Sequence, residues 1–330
     1  MDHGTHGIDA FRGCLGRSRV LRCSHEKHGT STTRQGRRGL DTVRRRISGR
    51  EHRAMKDDAI GLSLRSDDPI ERTNILREYI QACALRSLHE SRAFERLSFV
   101  GGTALRFLFD LPRYSEDLDF SLETPEAYEP LPWMTKLKID LQRLGFNTEL
   151  SWNDRKTVQV AWIRIAGLLK EAGIVGRVEQ KLSIKLEIDT KPPKGAVMER
   201  RIVNRRLVFA VRHHDLPSLM AGKIHALLSR PYAKGRDWYD LVWYQSRRPP
   251  VEPNASLLQA ALLQTGTDIP EGWRNAIIRR LTELDFRAIR ADVEPFLERR
   301  DDAALLDKES LFGLLGSPYF HPPDHPLNSA

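Results

Sequence analysis

Residues 99–123, "FVGGTALRFLFDLPRYSEDLDFSLE", constrain the chain more than any other stretch. A short apolar run, "RLSFV", ends in two glycines. "TALRFLFDL" then has helical spacing, with Thr103 as its N-cap. "EDLDFSLE" alternates Leu118, Phe120 and Leu122 against Asp117, Asp119 and Ser121, the pattern of a half-buried strand. Residues two apart on a strand share a face, so Asp117 and Asp119 project together, their Cα atoms roughly 7 Å apart. Two carboxylates so placed resist joint ionisation unless a cation lies between them. They suit one Mg²⁺ or a pair of ions. Gly101 and Gly102 carry no side chain to keep a ligand off the backbone, and the helix they precede presents free N–H groups and the positive end of its dipole. A phosphate cradle beside a metal site points to phosphoryl or nucleotidyl transfer.

Rival signatures are absent. The chain has no Gly-x-x-x-x-Gly-Lys-Ser/Thr and no Gly-x-Gly-x-x-Gly after a strand. "DLDFSLE" lacks the alternating oxygen ligands and the glycine of a calcium loop. Three cysteines form no disulfide framework, which fits a reducing compartment, and no apolar run approaches the length that crosses a bilayer. A cytoplasmic protein without a membrane partner is expected.

The net charge of +9 is unevenly placed. Residues 1–54 carry 13 Arg and Lys against 5 Asp and Glu, leaving the rest almost neutral. This head has no apolar periodicity and reads as a disordered basic segment. It is either a nucleic-acid arm or non-native sequence upstream of a start at Met55; a metal site at Cys14, Cys23, His25 and His28 fits no defensible spacing. The expected organisation is a core over 55–212, a mostly helical region over 213–316 and a Pro-rich tail over 317–330. Within the core, helices are predicted near 69–93 and 131–144, and strands near 147–152, 157–166 and 181–190. "KLSIKLEIDTKP" sets Leu182, Ile184, Leu186 and Ile188 on one face, leaving Glu187 and Asp189 on the polar one. "RRLVFAVRH" reads as a strand, and helices follow at 216–229 and 236–246. Lys223 falls at the edge of an apolar stripe. Asp237 and Asp240, three apart, share a helix face and can orient Lys223 or Arg236. Arg113 can pair with an aspartate or a phosphate. Trp238, Trp243 and Tyr244 read as core.

"GGTALRFLFDLPRYSEDLDF" closely resembles the glycine motif and aspartate pair of the AbiEii/AbiGii (MenT-type) toxins, members of the polymerase-beta-like nucleotidyltransferase superfamily. "GKIHALLSR" is similar to that family's lysine helix and "KGRDWYDLVW" to its arginine–aspartate helix. The resemblance covers about 70–246. It implies an α+β fold, a small mixed sheet flanked by helices with a helical C-terminal region. It implies that Gly101, Gly102 and Thr103 hold NTP phosphates, with Arg113, Ser115, Lys223, Arg236 and Asp237 also lining the NTP site. Asp117 and Asp119 would bind Mg²⁺ (or Mn²⁺), with a third carboxylate from the next strand. Glu187, mid-strand, is favoured for that role, with Asp189 open. Lys223 and Asp240 complete the expected catalytic set. The implied reaction moves NMP from an NTP to an RNA 3′ end, a tRNA above all, and blocks translation; a cognate antitoxin is the implied protein partner. "Arg200, Arg201, Arg205, Arg206 and Arg212" form a basic run that could meet RNA phosphates or guard a strand edge. Two alternatives stand: a haloacid-dehalogenase-like phosphatase, which also uses Asp-x-Asp, and an inactive binding module on the same fold.

Overall fold

In the computed structural model of the chain, residues 55–177 and 179–316 are described. The expectations for the basic head and the Pro-rich tail lie outside them. Helix α1 (55–63) leads into α2 (Pro69–Glu90). Asp68 accepts from the N–H groups of Ile70 and Glu71, and Pro69 opens the helix, so that its orphan donors and fixed φ are both accounted for.

The motif stretch follows. Strand β1 (Leu97–Val100) runs into α3 (Gly101–Phe109), and β2 (Leu118–Leu122) returns antiparallel to β1. Then come α4 (Pro130–Arg143), β3 (Thr148–Asn153), β4 (Val158–Ile165), the single turn α5 (Leu168–Glu171), β5 (Leu182–Asp189), β6 (Met198–Asn204) and β7 (Val208–His214). The helical region comprises α6 (Leu216–Ser229), α7 (Gly235–Ser246), α8 (Ala255–Thr265), α9 (Gly272–Leu281), α10 (Phe286–Val293) and α11 (Lys308–Leu314).

The seven strands form one sheet in the order β3-β4-β5-β2-β1-β7-β6. It is mixed: β2 runs parallel to β5 and β1 to β7, and the remaining neighbours are antiparallel. The alternation of β5 divides its two faces. Leu182, Ile184, Leu186 and Ile188 are buried, with α2 packed on the strand and α4 packed on α2, whereas Ser183, Lys185, Glu187 and Asp189 are only partly covered. The polar face is the one that matters for chemistry.

Two elements escape sequence reading. β6 lies at the sheet edge and buries only Val203, so "MERRIVN" carries no alternating signal. α5 is one turn. The cap of α3 also differs from expectation. The helix begins at Gly101 with Val100 as N-cap, and Thr103 is two residues inside it. The Thr103 hydroxyl donates to the carbonyl of Asp117 instead, tying α3 to the start of β2.

Among the described residues no helix is long and apolar enough to cross a membrane.

Candidate active site

Three adjacent strands bring the carboxylates together. On β2, Asp119 stands opposite Val100 of β1 and in register with Glu187 of the parallel β5. Asp117 precedes β2 by one residue. These side chains line a cavity of about 820 Å³ that also contains Gly101, Gly102, Arg113, Ser115, Asp189, Lys223, Arg236 and Asp237. All the sequence-predicted site residues except Thr103 and Asp240 therefore share one cleft. Thr103 is fully buried and its hydroxyl donates to the Asp117 carbonyl, which leaves its backbone N–H, not its side chain, for the expected phosphate contact. Asp240 is also fully buried and pairs with Lys223, the contact expected of a residue that orients the lysine.

The reason for both glycines is visible. Gly101 has φ +78°, and a Cβ there would overlap the Asp119 carboxylate. A Cβ on Gly102 would come within 2.6 Å of Arg113 Nη2 and 3.2 Å of Ser115 Oγ. The space freed by each missing side chain is taken by the protein's own charged and polar groups.

Behind the glycines lies a buried ion network. Arg113 donates Nε to Asp240 Oδ1 at 2.6 Å, Nη2 to Asp240 Oδ2 at 2.7 Å, and Nη1 to the Tyr114 carbonyl at 2.9 Å. Lys223 Nζ lies 2.8 Å from both Asp237 Oδ1 and Asp240 Oδ2. Arg230 completes the group on Asp237. Burial alone would raise the Asp237 carboxyl, but the charges of Lys223 and Arg230 outweigh it and hold it at about 2. The helix face shared by Asp237 and Asp240 thus grips the lysine of α6, whose ammonium remains at the cavity wall.

The carboxylate side is electrostatically frustrated. Burial, and then the charges of Asp117 and Glu187, push Asp119 up to about 7, with Lys223 and Lys234 acting in the opposite sense. Asp117 is raised too, by burial first and then by Glu116. Glu187 is held by Lys185 Nζ at 2.8 Å. Asp189, two residues on, accepts from the Lys191 N–H at 2.9 Å and so caps the strand end. Among the described residues no three His, Cys, Asp or Glu side chains are already drawn into a metal cage.

Lys185, Arg230 and Lys234 line the cavity and were not among the predicted site residues. Lys185 alternates with Glu187 on the polar face of β5, so its position was legible. Lys234 stands immediately before Gly235, and a Cβ on Gly235 would overlap the Ile289 carbonyl, so close packing of α7 on α10 sets where Lys234 stands. Arg236 lies 3.0 Å from Glu116 and 4.2 Å above the Phe296 ring. The arginine run 200–212 is largely committed elsewhere. Arg201 bonds the Leu108 carbonyl, Arg205 and Arg206 reach the buried Glu78, and Arg212 donates to the Leu97 carbonyl. Trp238 and Tyr244 are core, and Trp243 is partly buried against it.

A Gly-Gly helix start, strand-borne carboxylates and a helix-borne lysine facing one cleft define a nucleotidyltransferase. The sequence model of the family described as nucleotidyl transferase AbiEii toxin, type IV TA system, matches residues 83–308. The chain belongs to that family and is a nucleotidyltransferase of the toxin–antitoxin class, which sets aside the phosphatase alternative. No curated protein matches it. Two solved structures are similar to it at 16% identity. One is JHP933 from Helicobacter pylori, with a TM-score of 0.43, covering 74% of this chain and 90% of that one. The other is described as a candidate nucleotidyltransferase from H. pylori, with a TM-score of 0.42, covering 74% of this chain and 97% of that one.

Proposed function

We propose that the protein transfers NMP from an NTP to the 3′ hydroxyl of an RNA, with the tRNA acceptor end as the favoured substrate, and thereby blocks translation. The observation that carries this reading is the side-by-side placement of Asp119 and Glu187, with Asp117, in the same cleft as Gly101, Gly102 and Lys223.

The family implies a divalent cation. The donor set fits one: three hard carboxylates, one of them pushed up to about 7 by burial first and then by the charges of Asp117 and Glu187, which Lys223 and Lys234 only partly offset. Asp117, Asp119 and Glu187 would hold Mg²⁺, or Mn²⁺ in its place. Asp189 is turned to the Lys191 N–H and is the weaker choice for the third position. When bound, the ion supplies charge that offsets the phosphates and lowers the proton affinity of the attacking hydroxyl.

The chain's own groups do the rest. Lys223, fixed by two aspartates, presents a point charge to the triphosphate. The free N–H groups that open α3 face the same anion. Lys234, Arg236 and Ser115 line the wall where further phosphate oxygens fit. The acceptor oxygen forms its bond to the α-phosphorus, the bond from that phosphorus to the bridging oxygen breaks, and pyrophosphate leaves. Glu187, released from Lys185, is placed to receive the hydroxyl proton.

The test is incubation of the purified protein with each labelled NTP, Mg²⁺ and total RNA, resolved on a gel. A labelled tRNA band that disappears with Asp117→Ala and Asp119→Ala is the expected result. Label appearing in protein and none in RNA would overturn the choice of acceptor. Growth arrest on expression, relieved by either substitution, is the matching result in cells.

A further inference from the structure

A second hollow borders the main cavity beside the carboxylates. It measures about 340 Å³ and has Asp117 and Lys185 in its wall as well. Its other walls include Arg77, Trp162, Lys181 and Ser183. The register places the second hollow next to the first on one sheet face. Lys185 of β5 stands opposite Trp162 of β4, and Trp162 stands opposite Ser151 of β3. The polar face of the sheet therefore runs outward from the carboxylates as an open surface, with Trp162 one strand beyond Lys185.

Trp162 is unusual on that surface. Its neighbours along β4, Ala161 and Ile163, are fully buried on the opposite face, while Trp162 is 37% exposed. The Arg164 guanidinium lies 5.4 Å from the ring centroid and donates to Ser151 Oγ at 3.2 Å. Among the described residues Arg164 forms no ion pair; Glu149, opposite it on β3, is taken by Lys181 at 2.6 Å, which leaves the guanidinium to meet an incoming anion. An indole backed by an arginine, on a bare strand face, is a platform for a nucleobase and its phosphate.

The geometry of the cleft says which substrate needs such a platform. Gly101, Gly102, Lys223 and Arg236 occupy the wall assigned to the triphosphate. The acceptor must reach the same carboxylates from another side, and the second hollow opens on Asp117 directly. We infer that the open face of β4 and β5 is the acceptor dock, where the single-stranded 3′ end of an RNA lies with a terminal base against Trp162 and a phosphate on Arg164, its hydroxyl directed to Asp117 and Glu187. This rests on the RNA-acceptor reading above and gives that acceptor a location.

The experiment measures steady-state nucleotide addition to a single-stranded RNA oligonucleotide, with the RNA and the NTP varied in turn, and binding of the same fluorescein-labelled RNA by anisotropy. Trp162→Ala is expected to raise the KM and Kd for RNA roughly 5- to 150-fold, the range that loss of one stacked base produces. Arg164→Ala raises them less, and Trp162→Phe restores most of the loss. The KM for NTP stays within about twofold in all three. Thermal melts of each variant report folding, and Arg164→Ala and Trp162→Phe keep the test open if Trp162→Ala is unstable. Extension of RNA by the wild type with unchanged RNA KM in Trp162→Ala and Arg164→Ala would overturn the dock while leaving the proposed function standing. A change confined to the KM for NTP would overturn it also, by placing the tryptophan in the nucleotide site. Failure of the wild type to extend any RNA, with label entering protein, defeats the RNA-acceptor reading itself and the dock with it.

Discussion

Arg113 and Asp240, 127 positions apart in sequence, form a two-pronged ion pair in which neither side chain is more than 2% exposed. Asp240 also holds Lys223, and Arg113 stands directly behind Gly102. One buried carboxylate thus ties the glycine turn to the lysine helix. Breaking such a pair leaves a desolvated charge and costs about 3–5 kcal/mol. Asp240→Asn is expected to lower unfolding free energy by about that amount, read from urea denaturation, with loss of nucleotide addition. Replacing both partners by apolar residues of similar volume should recover much of the stability but none of the activity. Full activity in Asp240→Asn would show that the pair does not position Lys223.

Asp237 gives a pH dependence. Its carboxyl sits at about 2 in the folded protein against an ordinary value of 3.8, held down by Lys223 and Arg230 against its own burial. A depressed acid contributes stability above its unfolded value and loses it as pH falls through the folded one. The contribution is therefore complete above about pH 4 and vanishes toward pH 2. A shift of this size corresponds to roughly 2 kcal/mol. Asp237→Asn is expected to be less stable than the wild type by about that amount at pH 6, with the gap closing as the pH falls from 4 toward 2. A constant gap across that range would refute the assignment.

The carboxylate crowding at Asp119 predicts an opposite sign. Its raised carboxyl, at about 7, penalises the metal-free fold once pH exceeds the ordinary value of 3.8, and the penalty is complete above 7. Metal-free Asp119→Asn should melt higher than metal-free wild type at pH 8, with the difference shrinking as the pH falls below 7 and gone near pH 4. Added Mg²⁺ or Mn²⁺ should raise the melting temperature of the wild type and leave that of the variant unchanged. Equal stabilisation of both by the cation would place the metal elsewhere.

Gly101 is the tightest point of the turn. A methyl group there meets the Asp119 carboxylate, and the φ of +78° costs a non-glycine residue about 1–2 kcal/mol. Gly101→Ala is expected to destabilise the fold by at least that cost and to reduce nucleotide addition by about two orders of magnitude or more, since Asp119 must move. The check is a urea titration alongside the gel assay. Gly173→Ala, also at positive φ (+67°) but with open space around the Cβ, is the control for strain alone.

What the amino-acid order determines here is local. Alternation in "EDLDFSLE" and "KLSIKLEID" was enough to place Asp119 and Glu187 on polar strand faces, because period-two patterning needs only neighbours along the chain. The same holds for α6, whose predicted bounds, 216–229, are those observed. The motif residues were legible as candidates because two glycines and two aspartates stand so close together. Tertiary structure decided how they meet. The register that puts Glu187 beside Asp119 depends on a parallel pairing of β2 with β5, across some 60 intervening residues. Nothing in the sequence marks Asp240 as a buried partner of Arg113 or Thr103 as a brace for Asp117, since a hydroxyl or carboxylate reads the same whether it faces water or another side chain. The edge strand β6 and the exposed Trp162 were invisible for a related reason: their character lies in what does not cover them, and coverage is a property of the assembled sheet.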